Sequence, residues 1–223
     1  VSTRVKICGL KTVDALEAAI SAGASHFGMV FFPPSPRCLM LDQAAALTRA
    51  AKGRILSVAL VVDAGDDDIK AIVAHARPDM LQLHGSETTE RTAEIRKVSG
   101  RPVIKSISVS ESGDARRAFA YEAAADLILF DAKPPPDCKT GLPGGNGLQF
   151  DWCLLAPIRG KMPFMLSGGL TPDNVAAAIR LTSPAIVDVS SGVEKSPGEK
   201  DTALIHRFVE AVNAAALEEF ANG

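Results

Sequence analysis

Two side chains at the ends of short apolar runs carry the first chemical signal in this chain. They are the thiol of Cys8, delivered by Val5-Lys6-Ile7, and the carboxyl of Asp131, delivered by Leu127-Ile128-Leu129-Phe130. Runs this short read as strands rather than helices, which puts each group at a strand tip. Burial among apolar neighbours disfavours a carboxylate, so Asp131 is expected to keep a proton for general-acid work. A thiol serves as a base only as thiolate, and an unperturbed one, with a pKa of about 8.5, is mostly protonated at neutral pH. Lys6, two residues before Cys8 on the same strand face, is expected to favour its ionisation. The competing readings are a packing cysteine and an aspartate that caps a helix or pairs with Lys133 or Lys6.

Further candidates surround this pair. Arg37 follows the stiff loop Pro33-Pro34-Ser35-Pro36, and its planar fork suits a carboxylate. His84, in Gln82-Leu83-His84-Gly85, either bonds a ligand or orients a loop. Asp188, inside Ile186-Val187-Asp188-Val189, is a carboxylate in an apolar strand and needs a partner; the residues alone favour a supporting role. Ser167-Gly168-Gly169-Leu170 and Ser190-Ser191-Gly192-Val193 have the composition of phosphate cradles, which offer backbone N–H groups to a dianion. Taken singly, their glycines would only make tight turns.

The elements that must position these groups alternate along the whole chain. Strand candidates lie at 4–8, 26–32, 55–63, 79–83, 102–108, 126–131, 163–167 and 185–189. Helical stretches lie at 13–22, 42–51, 67–76, 87–98, 113–123, a short piece near 150–156, 173–181 and 202–220. Thr12 and Thr171-Pro172 are the expected helix caps, and Asp66-Asp67-Asp68 reads as acidic helix-start chemistry. Strands apolar on both faces, such as 55–62, suit a parallel sheet covered by helices. Eight such units predict an α/β fold of one domain over 1–223, a closed (β/α)₈ TIM barrel. An open doubly wound sheet would carry glycines after its first strand, where Cys8-Gly9-Leu10-Lys11-Thr12 does not supply them. In a barrel, Cys8, Asp131 and both glycine loops share the C-terminal face, the loops after strands seven and eight being the phosphate-binding ones. The long loop 132–149, with Pro134-Pro135-Pro136 and Gly144-Gly145-Asn146-Gly147, is expected to act as a lid.

Composition excludes other classes. The 223 residues carry a net charge of -2, which gives no electrostatic footprint for nucleic acid. The longest apolar runs are far shorter than the roughly 20 residues of a membrane span, so no membrane partner and a cytoplasmic location are expected. The four cysteines, Cys8, Cys38, Cys138 and Cys153, lack metal-site spacing and are expected to be free thiols, with no metal. Outer faces and loop tips indicate no oligomeric state.

With these segments assembled, the chain resembles the phosphoribosylanthranilate isomerase family of tryptophan biosynthesis. The resemblance rests on Lys6-Ile7-Cys8-Gly9, Phe31-Phe32-Pro33-Pro34-Ser35-Pro36-Arg37, Gln82-Leu83-His84-Gly85 and Gly144-Gly145-Asn146-Gly147 with Phe150-Asp151-Trp152. Leu166-Ser167-Gly168-Gly169-Leu170 with Asn174, and Asp188-Val189-Ser190-Ser191-Gly192-Val193-Glu194, complete it. It implies an Amadori rearrangement of phosphoribosylanthranilate, a phosphosugar substrate, with no cofactor. It further implies Cys8 as general base, Asp131 as general acid, Arg37 on the anthranilate carboxylate, and Gly168, Gly169, Ser190, Ser191 and Gly192 around the phosphate. It moves Asp188 towards substrate contact. Asn146 stands where the family more often has Thr or Ser, and Val61-Val62-Asp63 replaces its commoner Phe-Val-Asn. The alternatives are another phosphosugar isomerase or synthase on the same barrel, and a non-catalytic phosphosugar-binding barrel needing neither Cys8 nor Asp131.

Overall fold

The computed structural model describes residues 3–111, 113–134 and 142–221, with side chains to 216. Eight parallel strands close into a barrel in sequence order: β1 Arg4–Cys8, β2 His26–Phe31, β3 Leu56–Val61, β4 Met80–Leu83, β5 Val103–Val109, β6 Leu127–Ala132, β7 Phe164–Leu166 and β8 Ile186–Val189. β8 returns to β1 in the register Lys6 with Asp188, which closes the ring. Helices α1 Val13–Ala22, α2 Leu41–Ala51, α3 Asp66–Ala76, α4 Thr89–Ser99, α5 Val175–Thr182 and α6 Thr202–Ala221 cover the outside. The structure departs from the sequence pattern in two helices and one added hairpin. The stretches expected as helices at 113–123 and 150–156 form 3₁₀ turns, Asp114–Tyr121 and Trp152–Leu155. A hairpin of β9 Glu194–Ser196 and β10 Glu199–Lys200, turning at Gly198, follows β8 and was not expected.

Alternation along the strands sorts side chains into two sets. Val58, Ile104, Leu129, Met165 and Ile186 form a small apolar plug inside the barrel. Their neighbours one residue along, such as Ala59, Val103, Ile128 and Val187, pack outward under the helices. Two residues beyond the plug, towards the strands' C-terminal ends, the inward positions become polar: Asp131 follows Leu129 and Asp188 follows Ile186. The same stagger places Lys6 and Cys8 on β1 and Gln82 on β4. The plug is thus the floor on which the polar layer stands.

Local chemistry holds the frame. Thr12 caps α1 by accepting the Ala15 N–H at 3.2 Å, and Gly23 ends the helix at φ +93°. Asp66, Asp67 and Asp68 occupy the first turn of α3, as expected of carboxylates at a positive dipole end. Thr171-Pro172 is not the cap of α5; Asn174 takes that position. Cys8, Cys38 and Cys153 are free thiols, while Cys138 and part of the expected lid, 135–141, lie outside the described residues. Among the described residues no helix is long and apolar enough to cross a membrane.

Candidate active site

Residues from seven of the eight strand ends and their loops line one cavity at the C-terminal face, of about 760 Å³ with its open mouth included. It brings together Cys8, Arg37, His84, Asp131 and Asp188 with the two glycine loops, so every candidate site residue read from the sequence meets at one place. Space for the thiol comes from its neighbour on β2: Gly28 pairs with Cys8, and a Cβ there would stand 2.8 Å from Cys8 Sγ. Gly9 turns the chain out of β1 at φ +78°, where a Cβ would be 2.7 Å from Arg37 Cδ. Neither Gly28 nor Gly9 therefore has room for a side chain.

A buried ion network surrounds Cys8. Lys6 Nζ donates to Asp188 Oδ1 at 2.8 Å, and Lys6 is wholly buried. Arg37 donates from Nε and Nη2 to the two carboxylate oxygens of Glu194, both at 2.8 Å, and from Nη2 to the Gly145 carbonyl at 3.2 Å. Lys200 Nζ donates to Glu194 Oε1 at 2.7 Å and to the Ser190 carbonyl at 2.9 Å, while the Ser190 hydroxyl donates to the Cys8 carbonyl at 3.2 Å. With Glu194 held below the usual carboxylate range by Arg37 and Lys200, the network counts three cations, Lys6, Arg37 and Lys200, against two carboxylates, Asp188 and Glu194. One positive charge is left over, the complement of a thiolate or of a bound anion.

The expectation that Lys6 favours ionisation of Cys8 holds for Lys6's own effect, but burial outweighs it. Burial pushes the Cys8 thiol up, Lys6 pulls it down, Asp188 pushes up again, and Lys200 pulls down; the balance is upward. Lys6 spends much of its field on Asp188, since an ammonium already paired to a carboxylate polarises a third group less. Burial pushes Lys200 down to about 8 despite its bond to Glu194. Asp188 finds the partner that a buried carboxylate needs in Lys6, and it also lines the cavity.

Asp131 is buried and pairs with neither Lys133 nor Lys6. Its Oδ1 accepts the Ala132 N–H at 2.8 Å and its Oδ2 lies 3.2 Å from His84 Nε2. His84 Nδ1 in turn lies 3.0 Å from Gln82 Nε2. The segment 142–148 crosses this pair: Gly144 sits so close that a Cβ would stand 2.6 Å from Asp131 Oδ2, and Gly145 rests on Arg37. Asn146 Nδ2 donates to the Leu142 carbonyl at 2.9 Å, which folds the segment onto itself. On the far side, Asn174 bridges the β7 loop, Nδ2 donating to the Gly169 carbonyl at 2.9 Å and Oδ1 accepting the Thr171 N–H at 2.8 Å. Gly168 at φ +90° and Gly169 at φ +63° give that loop its shape.

Sequence reasoning assigned no role to Gln82, Glu194 or Lys200, although the first two stood inside quoted motifs. A buried Glu or Lys is a signal only once its partner is known, and these partners lie 157 residues apart for Arg37 and Glu194. Among the described residues no group of three His, Cys, Asp or Glu side chains is arranged to hold a metal.

The family model described as N-(5'-phosphoribosyl)anthranilate (PRA) isomerase matches residues 5–211. Curated relatives called N-(5'-phosphoribosyl)anthranilate isomerase from Brucella canis and Brucella abortus are 50% identical over 217 residues, 97% of each chain. The crystal structure of phosphoribosyl anthranilate isomerase from Thermotoga maritima superposes with a TM-score of 0.85 at 33% identity, covering 95% of this chain and 99% of that one. A phosphoribosyl anthranilate isomerase in complex with reduced 1-(o-carboxyphenylamino)-1-deoxyribulose 5-phosphate superposes at 0.82 with 32% identity over the same shares. A 3-hexulose-6-phosphate synthase, at 14% identity and a TM-score of 0.63, shares the fold alone. With one cavity holding a strand-end thiol, a strand-end carboxyl and two glycine loops, and with these matches along nearly its full length, the chain belongs to the N-(5'-phosphoribosyl)anthranilate isomerase family.

Proposed function

We propose that this chain, one barrel domain over 1–223, isomerises N-(5'-phosphoribosyl)anthranilate to 1-(2-carboxyphenylamino)-1-deoxyribulose 5-phosphate, as a cytoplasmic enzyme of tryptophan biosynthesis. The observation that carries the reading is the convergence of Cys8 and Asp131 on a single cavity that also holds Arg37 and both glycine loops. Gly168, Gly169, Ser190, Ser191 and Gly192 hold the phosphate, and Arg37, with Nη1 still to donate, binds the anthranilate carboxylate.

Asp131 protonates the furanose ring oxygen, and the ring opens to an iminium at C1. The positive nitrogen acidifies the C2 proton, which the Cys8 thiolate removes to give an enolamine. The Cys8 thiol then returns a proton at C1 while the Asp131 carboxylate takes the proton of the C2 hydroxyl as the enol becomes a ketone, which restores both groups. Every proton removed is returned and no net oxidation occurs, so the chemistry asks for no redox cofactor. Phosphate and carboxylate, at opposite ends of the substrate, supply the orientation. Lys6 and Lys200 favour the thiolate against the opposing effect of its burial.

The test follows the loss of phosphoribosylanthranilate fluorescence with purified protein. Cys8→Ala and Asp131→Asn are each expected to lower kcat by about 10²- to 10⁴-fold while the reduced product analogue still binds. Near-normal turnover in either variant rejects its role, and an inactive wild-type protein rejects the reading.

A further inference from the structure

Gln82 is fully buried, lines the cavity, and has a carbonyl oxygen, Oε1, without a hydrogen-bond partner. Its other end is engaged, Nε2 lying 3.0 Å from His84 Nδ1. A buried amide oxygen left unbonded is costly, and such orphans call for an explanation. Trp152 Nε1, the other such atom among the described residues, lies outside the cavity lining. Of these two residues, Gln82 is the one that belongs to the cavity wall.

The two ends of this amide bear on one reaction. The reversed amide would accept from a protonated Nδ1; set this way round, its NH₂ donates and His84 Nδ1 is the unprotonated, accepting nitrogen. A neutral imidazole then carries its proton on Nε2, the atom 3.2 Å from Asp131 Oδ2. That fixed N–H strengthens its bond as Asp131 becomes a carboxylate, so it favours the moment at which Asp131 gives its proton to the ring oxygen. Ala132 N–H, at 2.8 Å from Oδ1, holds the other oxygen and fixes the carboxyl plane.

We propose that Gln82 is a further functional residue of this site: its NH₂ locks His84 as the Nε2–H tautomer that orients Asp131, and its orphaned Oε1 accepts a hydroxyl of the substrate's sugar. This rests on the isomerase reading, but half of it is testable without turnover. Two near-isosteric variants separate the two ends. Gln82→Glu keeps an acceptor oxygen and replaces the donor, so once its carboxyl is ionised His84 must protonate Nδ1 to meet it; Gln82→Met removes both functions at similar volume.

Nitrogen-15 spectra of the His84 ring are expected to show a protonated Nε2 in the wild type and a protonated Nδ1 in Gln82→Glu. In turnover, Gln82→Glu is expected to lose kcat on the order of ten- to a hundredfold, with a displaced pH profile and a KM near that of the wild type. Gln82→Met is expected to lose kcat similarly and to raise KM as well. Affinity for inorganic phosphate, read in parallel, is expected to stay at the wild-type value in both variants, while the melting temperature falls modestly with the loss of the buried bond to His84. The proposal is overturned by an unchanged His84 ring signature in Gln82→Glu, or by wild-type kcat, KM and pH profile in Gln82→Met. If the wild-type protein proves inactive, the tautomer measurement still decides the Gln82–His84 half.

Discussion

Gly144 offers the sharpest test of how the covering segment meets the acid. Its backbone lies against the Asp131–His84 pair without needing a left-handed conformation, so alanine there carries no dihedral penalty. The methyl group alone is the perturbation. A Cβ would stand 2.6 Å from Asp131 Oδ2 and closer still to His84 Nε2, whereas ordinary van der Waals contact begins at 3.4 Å. The shortfall is about 0.8 Å, and a packed site accommodates it by lifting the segment or by turning the carboxyl away. A misplacement of about 1 Å at reacting groups costs on the order of 10²-fold in rate, or about 2.7 kcal/mol of transition-state stabilisation. Gly144→Ala is therefore expected to lower kcat/KM about a hundredfold in the fluorescence assay, with the melting temperature nearly unchanged because the segment contributes little to the core. Gly65→Ala, whose Cβ would meet nothing nearer than 4.0 Å, is the control and is expected to be nearly silent. A Gly144→Ala enzyme within about twofold of wild type would refute the claim that this segment seats on Asp131 during turnover.

Lys200→Met removes the cation that makes the charge count positive, so the Cys8 thiol should be harder to ionise; its alkylation rate against pH should move to higher pH, and an unmoved profile would exclude Lys200 as its activator. His26, buried beside Ser25 at the opposite end of β2, is pushed down to about 4 by burial and by the charges of Arg4 and Lys6, partly offset by Asp79. Because the unfolded chain binds its proton near pH 6.5, neutral His26 contributes stability that is complete above that pH and is lost as the pH falls towards 4. The loss amounts to about 3 kcal/mol. Urea unfolding of His26→Asn between pH 4 and 7 should show that much less pH dependence than wild type, and parallel curves would disprove it.

The two 3₁₀ turns and the hairpin show where local pattern stops informing. The stretch 113–123 is alanine-rich and reads as helix, yet Gly113 at φ +124° and the packing of Ala115 and Ala118 against the barrel hold it to a tighter winding. Propensity is a weak prior, and tertiary contact overrides it over so short a span. The hairpin 194–200 has too few apolar residues for a strand signal, and its reason for existing is positional: it carries Glu194 and Lys200 back under Arg37 and Ser190.

What the amino-acid order determined alone was the alternation of eight strands with helical stretches, the barrel, and the placing of Cys8, Arg37, His84, Asp131 and the glycine loops at one face. Those follow from periodicity and strand-end position, which are local properties. Tertiary structure decided the partners: Lys6 with Asp188, Arg37 with Glu194, Gln82 with His84, and His84 with Asp131. A charge's effect depends on what lies within a few ångströms of it, and in a closed barrel those neighbours come from strands far apart in the chain. Burial in that closed barrel keeps the Cys8 thiol up, with Asp188 adding to it, against the downward pull of Lys6 and Lys200.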